Sequence, residues 1–139
     1  MAEVAEIHVV IGGEDGIVAA RGKARDLAKQ LGFSLLDQSR IATAVSELAR
    51  NIVRYATGSL GEMVARSVPP PAGRSAGIEI IVSDKGPGIE DIDQAMSEGY
   101  TSGPGMGMGL PGTRRLMDEM DLKSVPGEGT IITIRKWRR

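Results

Sequence analysis

The 139-residue chain is 41% hydrophobic and 25% charged, which is ordinary for one globular domain with its own core. It has no cysteine and one histidine, which excludes disulfide frameworks and thiolate zinc sites and leaves only His8 as a base for a Ser-His-Asp triad. A net charge of −1 gives no general affinity for nucleic acid or anionic membranes. No apolar run approaches the roughly 20 residues of a membrane span, and the acidic N-terminus is unlike a signal peptide. We therefore expect a cytoplasmic domain.

Hydrophobic periodicity and turn residues predict five strands and four helices. Ser34 followed by Asp37 resembles a capping box, with either residue as the cap, and Pro111 suits a first helical position. The predicted order is strand 6–11, helix 16–31, a helix to about Tyr55, a strand within 60–68, strand 78–83, short helix 92–96, helix 111–120, strand 122–125 and strand 130–137. This order predicts an α/β sandwich, a mixed β-sheet with helices covering one face.

The second helix carries polar residues that packing does not require. Its apolar stripe runs from Ile41 to Tyr55, and Glu47 and Asn51 lie four apart on one flank of that stripe. Arg50 lies further round the helix, toward solvent. A carboxylate and an amide placed in this way are candidates for chemistry.

The stretch from Asp84 to Gly112 is rich in glycine at alternate positions, which indicates close backbone approach to a ligand or movement. Residues 107–112 formally match a dinucleotide fingerprint, but the preceding residues cannot form the strand which that motif needs. A Walker loop lacks its Gly-Lys-Ser/Thr ending, and the protein-kinase motifs are absent. These three mechanisms are therefore rejected.

Four pieces in fixed order are more specific than any one of them. They are Glu47-x-x-x-Asn51 on a helix, Asp84-x-Gly86-x-Gly88 after a strand, Gly105-x-Gly107-x-Gly109 before a helix, and Gly129-Thr130 before a strand. Together they resemble the Bergerat-type ATP-binding (GHKL) fold shared by gyrase, heat-shock chaperones, histidine kinases and MutL, over residues of about 7–136. The segments 46–51, 84–89 and 109–112 look like the anti-sigma-factor serine/threonine kinases. The short lid, residues 115–119 and the terminal Lys136-Trp137 are similar to the switch kinases of the stressosome.

The resemblance implies a role for each piece. Asn51 would ligate Mg²⁺ through its amide oxygen, Asp84 would accept from the adenine amine, and the helix after the glycines would favour phosphate. Glu47, one turn before Asn51, would act as general base. The residues expected to bind nucleotide are Asn51, Asp84, Gly86, Gly88, Ile89, Gly105, Gly107, Gly109, Leu110 and Thr130.

The resulting prediction is an ATP- and Mg²⁺-dependent protein serine/threonine kinase, formed by residues 1–139 as a single domain. The resemblance implies that it phosphorylates a STAS-domain antagonist and a stressosome scaffold protein and, once released, activates a phosphatase or other signalling partner. One alternative is an anti-sigma factor that mainly sequesters a sigma factor. A histidine-kinase ATPase domain is disfavoured, because the sequence carries no phosphoacceptor histidine helix.

Two features bear on how such a kinase would work. Between Lys85 and Arg114 the sequence has no Lys or Arg, so the lid offers no cation to the terminal phosphate. We also expect no second substrate-binding domain, so a protein substrate would dock on the surface. The basic tail, 135–139, is either a solvated strand end or a docking patch for an acidic partner.

Overall fold

The computed structural model describes residues 6–55, 60–69, 76–88, 96 and 109–139. Two long helices follow the first strand, as the periodicity predicts, and a five-stranded sheet supports them. The elements are β1 (Ile7–Ile11), α1 (Glu14–Gln30), α2 (Leu35–Tyr55), β2 (Gly61–Val68), β3 (Gly77–Asp84), α3 (Gly109–Leu116), β4 (Glu119–Val125) and β5 (Gly129–Trp137). The short helix predicted at 92–96 lies outside the described residues except for Met96.

The predicted α/β sandwich is confirmed, but its sheet is not mixed. The strand order is β1-β2-β3-β5-β4, and all four pairings in the described part of the chain are antiparallel. The chain returns after α3 to form the edge strand β4, and the turn at 126–128 sends β5 back between β3 and β4. β5 therefore runs against both neighbours, and no parallel crossover arises.

The helices bury one face of this sheet. Alternate residues of β3, such as Ile78 and Ile80, are fully buried and join one apolar core with the inward faces of α1 and α2. This alternation is what strands with a single covered face require. The core places α2 across the sheet, which fixes the polar flank of that helix relative to the strand ends.

The structure shows which residue caps α2, and it places both ends of α3 differently from the prediction. Ser34 is the cap of α2, since its Oγ accepts from the Asp37 N–H at 3.1 Å. Helix α3 begins at Gly109, so Pro111 is its third residue and not its first. The helix also ends at Leu116 and not near 120, because Met120 belongs to β4, where it pairs with β5.

A buried lysine links α2 and α3 at one end of the sheet. Lys136 Nζ donates to the Leu116 carbonyl at the end of α3 at 3.0 Å and lies 3.8 Å from Asp37 Oδ1 in the first turn of α2. Lys136 pairs with Ile78 at the start of β3. The end of α3 and the start of α2 therefore meet at the end of the sheet opposite to Asp84.

The face of the sheet away from the helices carries a row of alternating charges. Arg66 on β2 and Arg135 on β5 each donate from Nε to Glu79 on β3 at 2.7 Å, and Arg135 also donates to Glu119 at 3.2 Å. Burial alone raises the pKa of Glu79, but the hydrogen bonds from Arg135 and Arg66 outweigh it and hold this pKa below its ordinary value. The row fixes the strand register on the uncovered face.

Candidate active site

The polar flank of α2 contains two buried oxygens that have no hydrogen-bond partner among the described residues. Glu47 is 6% exposed, and Asn51 is half-buried four residues later, on the same side of the helix. Glu47 Oε2 and Asn51 Oδ1 are both buried, and neither has a hydrogen-bond partner within the described residues. Buried polar atoms are nearly always paired in proteins, so an orphaned pair on one helix face indicates a place for a ligand.

The other oxygen of Glu47 faces a cation. Arg50 Nη1 lies 3.8 Å from Glu47 Oε1, within ion-pair range but beyond a hydrogen bond. The two oxygens of this carboxylate therefore differ, with Oε1 beside a guanidinium and Oε2 unpaired among the described residues. The sequence-based expectation that Arg50 extends toward solvent is only half right, because its side chain is 37% exposed and reaches along the helix to Glu47.

Asp84 lies at the end of β3, beside the start of β5. Its Oδ1 accepts from the Gly86 N–H at 2.8 Å, a turn that fixes the carboxylate at the strand end. Asp84 pairs in register with Thr130 on one side and with Gly61 on the other. Thr130 is buried, and its Oγ1 shares a hydrogen bond with Ser124 Oγ at 2.8 Å. Asp84 and Thr130 thus form one polar strand end.

Gly61 brings the helix to this strand end. A Cβ at Gly61 would lie 2.6 Å from Ile52 Cδ1 and 2.7 Å from Ile52 Cγ2, so α2 packs directly on the backbone of β2 at this point. Ile52 follows Asn51, and Gly61 is the strand partner of Asp84. The packing therefore brings Asn51 and Asp84, which are 33 positions apart in the sequence, to the same end of the sheet.

A second turn supports the residues after Asp84. Gly88 has φ +78, and a Cβ there would meet the Val125 carbonyl oxygen at 2.5 Å. The Gly127 N–H donates to the Pro87 carbonyl at 2.7 Å. Residues 84–88 are thus packed against the β4–β5 turn, where glycine is needed for both its backbone conformation and its small size.

Of the glycine-rich run 103–112, the structure describes the residues from Gly109 onward. Gly109, with φ +66, opens α3, which packs against α2, and the Thr113 hydroxyl donates to the Gly109 carbonyl at 3.0 Å. Leu110 is buried in the core. The other residues that the motifs implicate, Ile89, Gly105 and Gly107, lie outside the described residues.

Sequence reasoning missed two contributors to this site, Gly61 and Arg50. The signal for Gly61 was a glycine at the first position of a strand, which marks close backbone approach. The signal for Arg50 was a cation three residues after a carboxylate on a helix. In the described ranges no group of three or more His, Cys, Asp or Glu side chains could hold a metal.

Comparison with known proteins identifies the family. Residues 36–139 match the family described as Histidine kinase-, DNA gyrase B-, and HSP90-like ATPase. The chain is 53% identical over 125 residues to the serine/threonine-protein kinase RsbT of Bacillus subtilis, covering 88% of this chain and 90% of that protein. It is 38% identical over 112 residues to an anti-sigma F factor of Pasteuria penetrans, covering 77% of this chain and 73% of the relative.

Solved structures share the fold at low sequence identity. The crystal structure of the RsbU and RsbW domains of a Mycobacterium tuberculosis protein superposes with a TM-score of 0.65 at 17% identity, covering 98% of this chain and 33% of that one. The catalytic domain of the histidine kinase ThkA gives a TM-score of 0.56 at 14% identity, with 95% and 96% covered. Both likenesses concern the fold alone.

None of the helices in the described part of the chain has the length and apolar character to cross a membrane. The relationship to RsbT confirms the enzyme class predicted from the sequence, a protein serine/threonine kinase, and the family match confirms an ATP-binding domain. The chain therefore belongs to the histidine kinase-, DNA gyrase B- and HSP90-like ATPase family, in the group that contains the RsbT-type serine/threonine kinase and the anti-sigma F factors.

Proposed function

We propose that residues 1–139 form a single cytoplasmic kinase domain that transfers the γ-phosphate of ATP to serine or threonine on STAS-domain proteins. Its substrates would be an antagonist protein and a stressosome scaffold protein, and the released kinase would activate a phosphatase or another signalling partner. The relationship to RsbT supports the reaction class. The observation that carries the mechanism is the pair of buried oxygens, Glu47 Oε2 and Asn51 Oδ1, which have no hydrogen-bond partner within the part of the chain that the structure describes.

The base of ATP would bind at the strand end formed by Asp84 and Thr130. Asp84 is held by its turn to Gly86, so its carboxylate can accept from the adenine amine, a donor that guanine lacks at that position. Gly88 and Ile89 would continue this wall. The phosphates would lie toward the start of α3, where free N–H groups favour anions, and the residues assigned there are Gly105, Gly107, Gly109 and Leu110.

Asn51 fits a magnesium ligand. An uncharged amide oxygen suits this hard cation, which usually keeps waters and binds few protein ligands beside substrate phosphates. Asn51 Oδ1 is buried and unpaired among the described residues, which is expected of an oxygen that binds a ligand from outside the protein. When bound, the ion would neutralise charge on the phosphates.

Glu47 would be the general base. As the acceptor hydroxyl oxygen bonds to the γ-phosphorus and the bond to ADP breaks, Glu47 Oε2 would take the hydroxyl proton, which gives phosphoprotein and ADP. Such transfer depends mainly on positioning and charge neutralisation. Since the lid has no Lys or Arg between Lys85 and Arg114, the remaining neutralisation would come from backbone N–H groups, from one of these two cations, or from a partner's residue.

A second function is favoured by the identity to anti-sigma F factors. In that case the main output would be sequestration of a sigma factor. The two functions differ in what the chain retains from its own cell extract. STAS proteins recovered with it would support the kinase circuit, and a sigma factor recovered in their place would support the alternative.

Glu47→Gln tests the catalytic assignment. We expect this variant to bind ADP and ATP like the parent chain, because the amide keeps the size of the side chain, and to lose transfer about 100-fold or more, which is the usual contribution of a general base. The measurement is single-turnover transfer to a STAS protein, with nucleotide affinity measured on the same samples. Unchanged transfer would remove Glu47 from this role.

A further inference from the structure

Helix α2 carries two carboxylate–arginine pairs of the same spacing, one in its first turn and one in its second half. Asp37 and Arg40 are three residues apart, as are Glu47 and Arg50. The exposures are similar, 11% and 43% for the first pair and 8% and 37% for the second. The pair at Asp37 lies beside Lys136, at the end of the sheet opposite to Asp84, and the pair at Glu47 lies in the candidate active site.

The two pairs differ in contact. Arg40 Nη1 donates to Asp37 Oδ1 at 2.8 Å, a charge-assisted hydrogen bond of ordinary length. Arg50 Nη1 stands 3.8 Å from Glu47 Oε1, so it acts on the carboxylate through its charge. The remaining oxygen, Glu47 Oε2, is buried without a partner in the part of the chain that the structure describes.

The different surroundings of the two Glu47 oxygens matter because the oxygens of a free carboxylate are chemically equivalent, so only a neighbouring group can fix which of them faces the substrate. The terminal torsion of a glutamate is broad and roughly two-fold, so an unconstrained Glu47 can turn away from the direction in which it must accept a proton. A cation beside Oε1 favours one orientation of the carboxylate plane and leaves Oε2 directed elsewhere.

We propose that Arg50 is a positioning residue that holds Glu47 Oε1 and so presents Oε2 to the acceptor hydroxyl. The proposal rests on the function proposed above and names a further residue for the same reaction. It also assigns a role to the Arg50 guanidinium, which lies beside the proposed base in a chain that has no Lys or Arg between Lys85 and Arg114. Since the interaction acts through charge at 3.8 Å, it does not need the planar fork of arginine.

The test uses steady-state transfer to a STAS protein together with ADP and ATP affinities. Arg50→Gln should lower kcat about tenfold, a fraction of the 10²–10⁴ that a general base supplies, while the KM for the acceptor and both nucleotide affinities stay within about twofold. Arg50→Lys keeps the charge and should stay within about threefold of the parent kcat. The matched control, Arg40→Gln, removes the equivalent cation from the other pair and should leave kcat unchanged.

A double variant separates positioning from other roles. If Arg50 acts through Glu47, Arg50→Gln should cause no further loss in a Glu47→Gln background. An equal loss in both backgrounds, an unchanged kcat in Arg50→Gln, or weaker binding of ATP but not of ADP would each overturn the proposal. Failure of the proposed function looks different, because the parent chain itself would then transfer no phosphate to a STAS protein. Failure of the base assignment alone would appear as normal transfer by Glu47→Gln.

Discussion

Replacing Lys136 by methionine removes a buried charge that joins three elements. Lys136 is 6% exposed, and its ammonium donates to the Leu116 carbonyl at 3.0 Å and lies 3.8 Å from Asp37 Oδ1. Methionine keeps most of the apolar stem, so the change in packing is small. The loss therefore falls on the hydrogen bond and the ion pair.

The magnitude depends on what happens to Asp37. Breaking a buried ion pair costs about 3–5 kcal/mol when it leaves one charge uncompensated. Asp37 keeps Arg40 at 2.8 Å, so it is not left alone, and the lost charge-assisted hydrogen bond then sets the scale at about 1.5–3 kcal/mol. We expect Lys136→Met to lower the free energy of unfolding by an amount in this range.

Urea unfolding followed by far-UV circular dichroism measures this loss. Fluorescence of Trp137, the single tryptophan of the chain, gives a second probe at the same end of the sheet. Lys123→Met is the matched control, because Lys123 is exposed on β4 and such surface changes stay within about 0.5 kcal/mol. A Lys136→Met variant as stable as this control would refute the reasoning.

Two further predictions concern the charged face and the helix contact. Because the folded-state pKa of Glu79 is lowered from an ordinary value of 4.5, its contribution is present above about that pH and is lost as pH falls through the folded-state pKa. The stability difference between the parent chain and Glu79→Gln should therefore shrink from pH 7 to pH 3 in urea titrations, and a constant difference would contradict this. Gly61→Val should weaken ADP binding and cost about 1–3 kcal/mol through overpacking against Ile52, whereas Gly22→Ala, which meets nothing within 4 Å, should do neither in thermal-shift and ADP titrations.

Local patterns predicted much of the fold because they depend only on neighbouring residues. The apolar stripe of α2 gave its length and placed Glu47 and Asn51 together on one flank. The predicted end of α3 was wrong for an equally local reason. Met117 and Met120 have the spacing of a helix, while Met120 and Leu122 have the alternation of a strand. Both patterns bury apolar side chains, and pairing with β5 decides in favour of the strand.

Features that depend on strand register could not be predicted. The direction of β5 relative to its neighbours follows from its position between β3 and β4 in the sheet. The order of elements along the sequence does not contain that position, so it is compatible with a mixed sheet and with an antiparallel one. The row of Arg66, Glu79 and Arg135 exists only in the observed register. The contact between Gly61 and Ile52 likewise appears only once α2 lies on the sheet.

Transfer of labelled phosphate from ATP to a STAS protein, with and without Mg²⁺, tests the central claim most directly. The comparison is between the parent chain and Asn51→Ala, which removes the buried oxygen that we assign to the metal and that has no hydrogen-bond partner in the described ranges. The parent chain should label the acceptor only when Mg²⁺ is present, and Asn51→Ala should lose this labelling while keeping its stability in urea. Labelling that does not depend on Asn51 would contradict the account.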